Sequence, residues 1–241
     1  MQETVIVVGA GASNGVGGAL SRRFAREGHH LIVCGRTEER VQSLASEIVD
    51  AGGSAEGFRL DVTSEGDQDA LFQHASALGP LAGVLFNAGN NAIIPFSDLS
   101  SEQFEQFWRV GCFGAFLTAK RAMPILVEQG RGSLFFTGAS GSMRGRPGFA
   151  HFAAMKAGLR MLAQSLAREY GPKGVHVAHV VIDGVIDGDV LRRRFGDYLK
   201  GLGEDGALSP DAIADAFWAL HSQHRSAWTH ELDLRPFKET W

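Results

Sequence analysis

Apolar and polar positions along this chain alternate between a strand period and a helix period. Residues 4–8 (TVIVV) are a β-branched apolar run halted by glycines, the mark of a strand buried on both faces of a parallel sheet. Residues 16–27 repeat their apolar positions at helical spacing, and Gly28 stands where a C-terminal cap belongs. A second strand is predicted over 30–34, and a helix over 37–50 with Thr37 as its N-cap. Further strands are predicted near 55–60, 84–87, 133–137 and 175–182, with helices near 64–77, 101–128 and 149–170. A helix over 210–221 and a short strand over 231–234 close the pattern. Such alternation predicts an α/β fold of Rossmann type, a doubly wound parallel sheet with helices on both faces. No repeat, low-complexity tract or linker marks a second domain, so residues 1–241 read as one. Residues 183–208, rich in glycine and charge, read as a mobile loop-and-helix insert, a lid where ligands of such sheets bind.

Composition narrows the function classes. The 241 residues are 44% hydrophobic and 21% charged, enough apolar mass for a sizeable core. A net charge of −4 argues against a nucleic-acid-binding surface, and Arg192, Arg193 and Arg194 read as a solvated helix face. Cys34 and Cys112 show neither disulfide nor zinc spacing, and no metal site is expected. No signal peptide is evident and no apolar run looks long enough to span a bilayer, so a cytoplasmic protein without membrane contact is expected.

The first strand runs straight into GAGASNGVGGAL, residues 9–20. A glycine-rich turn between strand and helix lets a phosphate approach the backbone and rest on the helix N-terminus. The spacing here is Gly11-x-x-x-Gly15-x-Gly17. At the end of the second strand, an acidic residue would suit the ribose of NAD(H) and an arginine a 2′-phosphate. Gly35-Arg36 stands there, so NADP(H) is favoured over NAD(H), unless Arg36 only points to solvent beside Glu38 and Glu39.

These motifs, with Asp61-Val62 after the third strand and Asn87-Ala88-Gly89 after the fourth, resemble those of the short-chain dehydrogenase/reductase family over nearly the whole chain. The resemblance implies a cofactor site of Gly11, Ser13, Asn14, Gly15, Val16, Gly17, Arg36, Asp61, Val62, Asn87, Ala88, Gly89, Lys156, Gly184 and Ile186. It also implies a small-molecule alcohol or carbonyl substrate and a homodimer or homotetramer. Members of the family usually work with a tetrad of Asn, Ser, Tyr and Lys. FAAMK matches its YxxxK, so Lys156 is kept while Phe152 takes the tyrosine place. Ala139 falls on the serine place and Gly111, in WRVGCFGAFL, on the asparagine place. Asp183-Gly184 replaces its Pro-Gly, and Gly188 stands where a threonine often holds the carboxamide.

A phenyl ring exchanges no proton, so any carbonyl chemistry must take its proton elsewhere. Ser140 is the first candidate to hold the substrate oxygen, followed by Ser142, Asp183 and Asp187. His151, one step from Phe152 on the helix, is expected to face solvent or a subunit contact. His176 and His179 should point to opposite faces of the sixth strand. Phe104, Phe107, Trp108, Phe113 and Phe116, with Leu159, Leu162 and Leu166, read as core or subunit interface. The expected function is NADP(H)-dependent oxidoreduction of an alcohol/carbonyl pair with an altered proton-transfer set. Its alternatives are a non-redox or C=C-reducing enzyme and a catalytically silent NADP(H)-binding protein.

Overall fold

The computed structural model describes residues 2–239. Seven strands form one parallel sheet in the order β3-β2-β1-β4-β5-β6-β7, so the order reverses between β1 and β4. The strands are β1 (Thr4–Val8), β2 (His30–Gly35), β3 (Ser54–Arg59), β4 (Leu81–Phe86), β5 (Ser133–Thr137), β6 (His176–Ile182) and β7 (Glu231–Leu234). The period-two geometry of β1 sends Val5 and Val7 into one core, and Ile6 and Val8 into another. The first core is closed by α1 (Val16–Arg26), α2 (Glu38–Asp50) and α8 (Pro210–His221), through Leu20, Phe24, Leu44 and Phe217. The second is closed by α3 (Glu65–Leu78), α5 (Gly114–Gln129) and α6 (Ala150–Tyr170), through Leu71, Ala119 and Leu159. With both faces covered, the expected doubly wound α/β architecture is observed.

Element ends follow the caps. Gly28, at φ +90°, ends α1, and Thr37 is the N-cap of α2. Ser64 Oγ accepts from Asp67 N at the start of α3. Strand β4 starts at Leu81, three residues before the expected start at 84, because Thr4 N donates to Pro80 O and Gly83 pairs with Val5. The long helix over 101–129 is α4 (Ser101–Trp108) and α5 joined by a π-helical turn, Arg109–Phe113, which the periodicity did not foretell. That span is also a correction to the expectation that no run is long and apolar enough to cross a membrane. Its 29 residues have a mean hydropathy of 1.4 in their most apolar window, half of which is buried in the fold as a core helix.

Candidate functional site

The carboxyl ends of β1 and β4, where the sheet order reverses, frame a crevice. Gly9, at φ +95°, lies so close to the β4 end that a Cβ there would sit 2.5 Å from Ala88 N. A Cβ on Gly17 would likewise sit 2.5 Å from Gly9 O, so the first turn of α1 packs flat on the turn before it. Asn87 Nδ2 donates to Gly9 O at 3.0 Å and pins the two strand ends together. Gly15 is the N-cap of α1, where no side chain caps the helix and no acidic residue occupies the first turn. The amide N–H groups of that turn, beginning near Val16, and the positive helix end therefore remain open to an anion. A Cβ on Gly11 would meet nothing within 4 Å, leaving the outer side of the turn clear. This cradle fits a pyrophosphate. Ser13 and Asn14 point elsewhere: Ser13 Oγ donates to Glu47 Oε2 at 2.6 Å, and Asn14 Nδ2 donates to Asp189 Oδ1 at 3.1 Å.

Arg36 is exposed, and no ion pair to Glu38, Glu39 or another carboxylate is found for it among the described residues. It walls a cleft of about 280 Å³ together with Asp61, Thr63, Gln106 and Arg109. Asp61 Oδ1 accepts from Thr63 N at 2.9 Å and Thr63 Oγ1 at 2.8 Å. Those bonds, with Arg36 and Arg59 nearby, hold its carboxyl below the usual carboxylate range. Val62 is buried against Gly114. Arg36 and Asp61 are thus brought to one cleft, while Asn87 and Ala88 lie against Gly9, and Gly89 lies near Lys156.

Lys156 lies on α6 and is 5% exposed. Its Nζ donates to Thr137 O, the last carbonyl of β5, at 2.7 Å, and a Cβ on Gly89 would lie 3.6 Å from it. No carboxylate pairs with it among the described residues, and burial alone pushes its pKa down to about 8. One turn earlier the Phe152 ring stands with its centroid 5.9 Å from Nζ. Phe152 also covers the 140–142 turn, where a Cβ on Gly141 would come 2.9 Å from its Cδ1. Ser140 is partly exposed there, and its backbone carbonyl accepts from Met143 N and Arg144 N at 3.0 Å. Gly111 lies in the π-helical turn facing α6, and a Cβ at that position would fall 2.0 Å from Met155 Sδ. The buried Met155 thioether therefore fills the space a larger side chain at 111 would need.

Two of the polar stand-ins are already engaged. The buried Asp183 carboxylate accepts from Arg144 Nη2 at 2.9 and 3.0 Å, with Arg235 Nη2 at 3.6 Å. Asp187 is clasped by Arg192, whose Nε donates at 2.6 Å, and this holds its carboxyl below the ordinary range. Both carboxylates are thus held in ion pairs rather than free to exchange a proton with a substrate. The 183–208 segment contains a helix, α7 (Asp189–Leu202), and is pinned at its neck by a bridge between Ile186 and Leu208. A Cβ on Gly184, the second residue of this segment, would come 2.6 Å from Pro236 Cδ. The segment lies on the glycine turn through the Asn14–Asp189 bond.

His151 corrects the helix-face argument: it is fully buried, its ring 4.2 Å from Phe107, rather than facing solvent. A 100° step from Phe152 leaves the pocket, but it leads under α4. His176 and His179 do point to opposite faces, His176 stacking on Trp228 with ring centroids 4.8 Å apart. Spacing gave no hint of what His179 meets. Its Nε2 lies 3.2 Å from Ser142 Oγ and its Nδ1 3.0 Å from Glu231 Oε2. Glu231 in turn accepts a bidentate pair from Arg160 at 2.7 and 2.8 Å. A Glu231–Arg160 spacing of 71 residues leaves no local signal in the sequence.

Comparison with known proteins fits this geometry. The short chain dehydrogenase family profile matches residues 3–197. The chain is 35% identical over 185 residues to the uncharacterized oxidoreductase YuxG of Bacillus subtilis, covering 75% of this chain but 27% of that relative's length. It is 31% identical over 234 residues to 3beta-hydroxysteroid dehydrogenase 1 of Eggerthella lenta, covering 92% of this chain and 87% of that one. Among solved structures, a short-chain dehydrogenase from Rhodopseudomonas palustris superimposes with a TM-score of 0.84 at 35% identity, over 98% of this chain and 99% of the other.

Proposed function

This chain belongs to the short chain dehydrogenase family, and we propose that it is an NADP(H)-dependent oxidoreductase acting on an alcohol/carbonyl pair with an altered proton-transfer set. The observation that carries this reading is Lys156. A buried ammonium with no carboxylate partner is costly unless a ligand's polar groups meet it. Its place between Thr137 O and Gly89, beside an open phosphate cradle, suits the hydroxyls of a nicotinamide ribose. The glycine turn, Gly11, Gly15, Val16 and Gly17, would hold the pyrophosphate on the α1 N-terminus. Arg36 would meet the 2′-phosphate, and Asp61 and Val62 the adenine. When bound, the nicotinamide supplies or accepts the hydride.

The chain's own groups do the rest. Ser140 holds the substrate oxygen, Phe152 lines the pocket, and the 183–208 segment closes over it. Ile93, Met143, Phe195 and Tyr198, on the loop after β4, the turn after Ser142 and α7, are all about half or more exposed, and as an entrance to the pocket they would suit a hydrophobic substrate. A hydroxysteroid, the substrate class in the name of the Eggerthella relative, belongs in the first screen. Exposed Phe104, Trp108 and Phe116 on the long helix would be covered in a homodimer or homotetramer.

A second reading has its own observation. Ala139 and Phe152 carry no hydroxyl and Met155 fills the space at Gly111, which suits a silent NADP(H)-binding protein or a C=C reductase. Phe152→Tyr separates the two. It puts a phenol one turn before Lys156, and general acid–base catalysis is worth on the order of 10²–10⁴-fold. The proposal expects a rise in carbonyl reduction of at least tenfold over a measurable basal rate. No basal rate and no gain would favour the second reading.

A further inference from the structure

With no phenol at Phe152 and no hydroxyl at Ala139, the proton must reach the pocket by another route. At the place opposite Lys156 where a water-holding asparagine would stand, Met155 fills the volume above Gly111. Near Lys156 a polar chain runs inward from the partly exposed Arg160. Arg160 holds Glu231, Glu231 Oε2 accepts from His179 Nδ1 at 3.0 Å, and His179 Nε2 faces Ser142 Oγ at 3.2 Å. The carboxylate fixes the ring tautomer, so Nε2 carries the lone pair and Ser142 Oγ donates to it. Ser142 Oγ in turn accepts from Ala139 N at 3.2 Å, which places a hydroxyl behind the one position where the side chain is a bare methyl.

The ring is seated deliberately close. A Cβ on Gly138 would fall 2.3 Å from His179 Nε2, so only glycine at the end of β5 lets the imidazole reach the turn. We propose that Ser142, His179 and Glu231 form the proton-transfer chain of this site, serving the oxygen of the alcohol/carbonyl substrate in place of a phenol.

The inference rests on the oxidoreductase reading above. In the oxidising direction the substrate hydroxyl gives its proton to Ser142 Oγ, directly or through one water, while the Ser142 proton passes to His179 Nε2. The hydride of the carbinol C–H bond, with both its electrons, would go to an NADP⁺ held by the glycine turn and Lys156. Carbonyl product, reduced cofactor and an imidazolium paired with Glu231 result, and atoms and charge balance. Reduction is the reverse. His179 faces Glu231 from β7, Lys156 and Arg160 from α6, and Ser142 from the turn. Burial, with the two cations, keeps its pKa down at about 4, so the ring is neutral at pH 7, and it is the pairing of Glu231 with the ring that favours its taking a proton.

The test uses the full chain, Ser142→Ala, His179→Gln and a panel of apolar secondary alcohols, including hydroxysteroids, with NADP⁺. Ser142→Ala removes one hydroxyl and keeps the backbone turn, so it serves even where His179→Gln fails to fold. Expected are an on-the-order-of-10²-fold fall in kcat, an unchanged NADPH affinity and loss of the solvent deuterium isotope effect. A readout free of turnover is the ¹⁵N spectrum of the His179 ring, expected to show Nδ1 protonated and Nε2 bare. A Ser142→Ala enzyme within twofold of the unsubstituted one, or a protonated Nε2, overturns the chain alone. An unsubstituted protein that binds no NADPH and turns over nothing overturns the oxidoreductase reading, and the chain's role with it.

Discussion

Lys156 shows at the scale of one residue how a site can cost the fold that carries it. Its pKa is lowered from 10.5 to about 8 because the ammonium is buried without an anion. The unfolded chain therefore holds that proton more tightly. Stability falls as pH drops from 10.5 toward 8 and stays reduced below, by about 3 kcal/mol. Lys156→Met is expected to raise the melting temperature at pH 7 by roughly 5–10 °C and to weaken NADPH binding, read by thermal unfolding and fluorescence titration. An unchanged or lower melting temperature would mean that the ammonium is not the liability described. The pairing of Phe152 with Lys156 was legible in the sequence because four residues on a helix bring two side chains to one face. The fate of Asp183 was not, since its partners Arg144 and Arg235 come from distant parts of the chain.

At the scale of elements, the sequence was most readable where one period governs a whole segment. The β-branched run of β1 and the amphipathic α1 and α2 were found nearly to the residue, because burial on one or both faces leaves a local record. Strand β4 was read short, as Leu81-Ala82-Gly83 lacks that composition and owes its pairing to β1 and β5. The π-helical turn at Arg109–Phe113 was invisible for a similar reason: its surroundings are set by Met155 from another helix. The same limit hid the Ser142–His179–Glu231 chain. Three residues from a turn and two neighbouring strands converge only once β6 and β7 lie in register, His179 against Glu231. The glycine turn and Arg36 were legible because their chemistry is local to one strand–turn–helix unit.

For the whole molecule, the buried histidines set an acid limit. His179 and His221 are both lowered to about 4, chiefly by burial, so each binds a proton more readily in the unfolded chain, where the ordinary value is 6.5. Their contribution is fully present above pH 6.5 and is lost as pH falls toward 4, by a few kcal/mol for each. Urea midpoints measured from pH 7 to pH 4 are expected to fall steadily, and His221→Gln to flatten part of that slope. A flat profile would show that neither ring is held neutral by the fold. The cofactor assignment also belongs to this scale, since it needs the β1 turn, the β2 end and α6 to act on one ligand. The measurement that tests it most directly is a paired titration of the purified protein with NADPH and NADH, alongside Arg36→Ala. Tighter binding of NADPH, with the preference abolished in Arg36→Ala, is the predicted result. Equal affinity for both cofactors, a preference that survives loss of the guanidinium, or binding of neither would contradict the account.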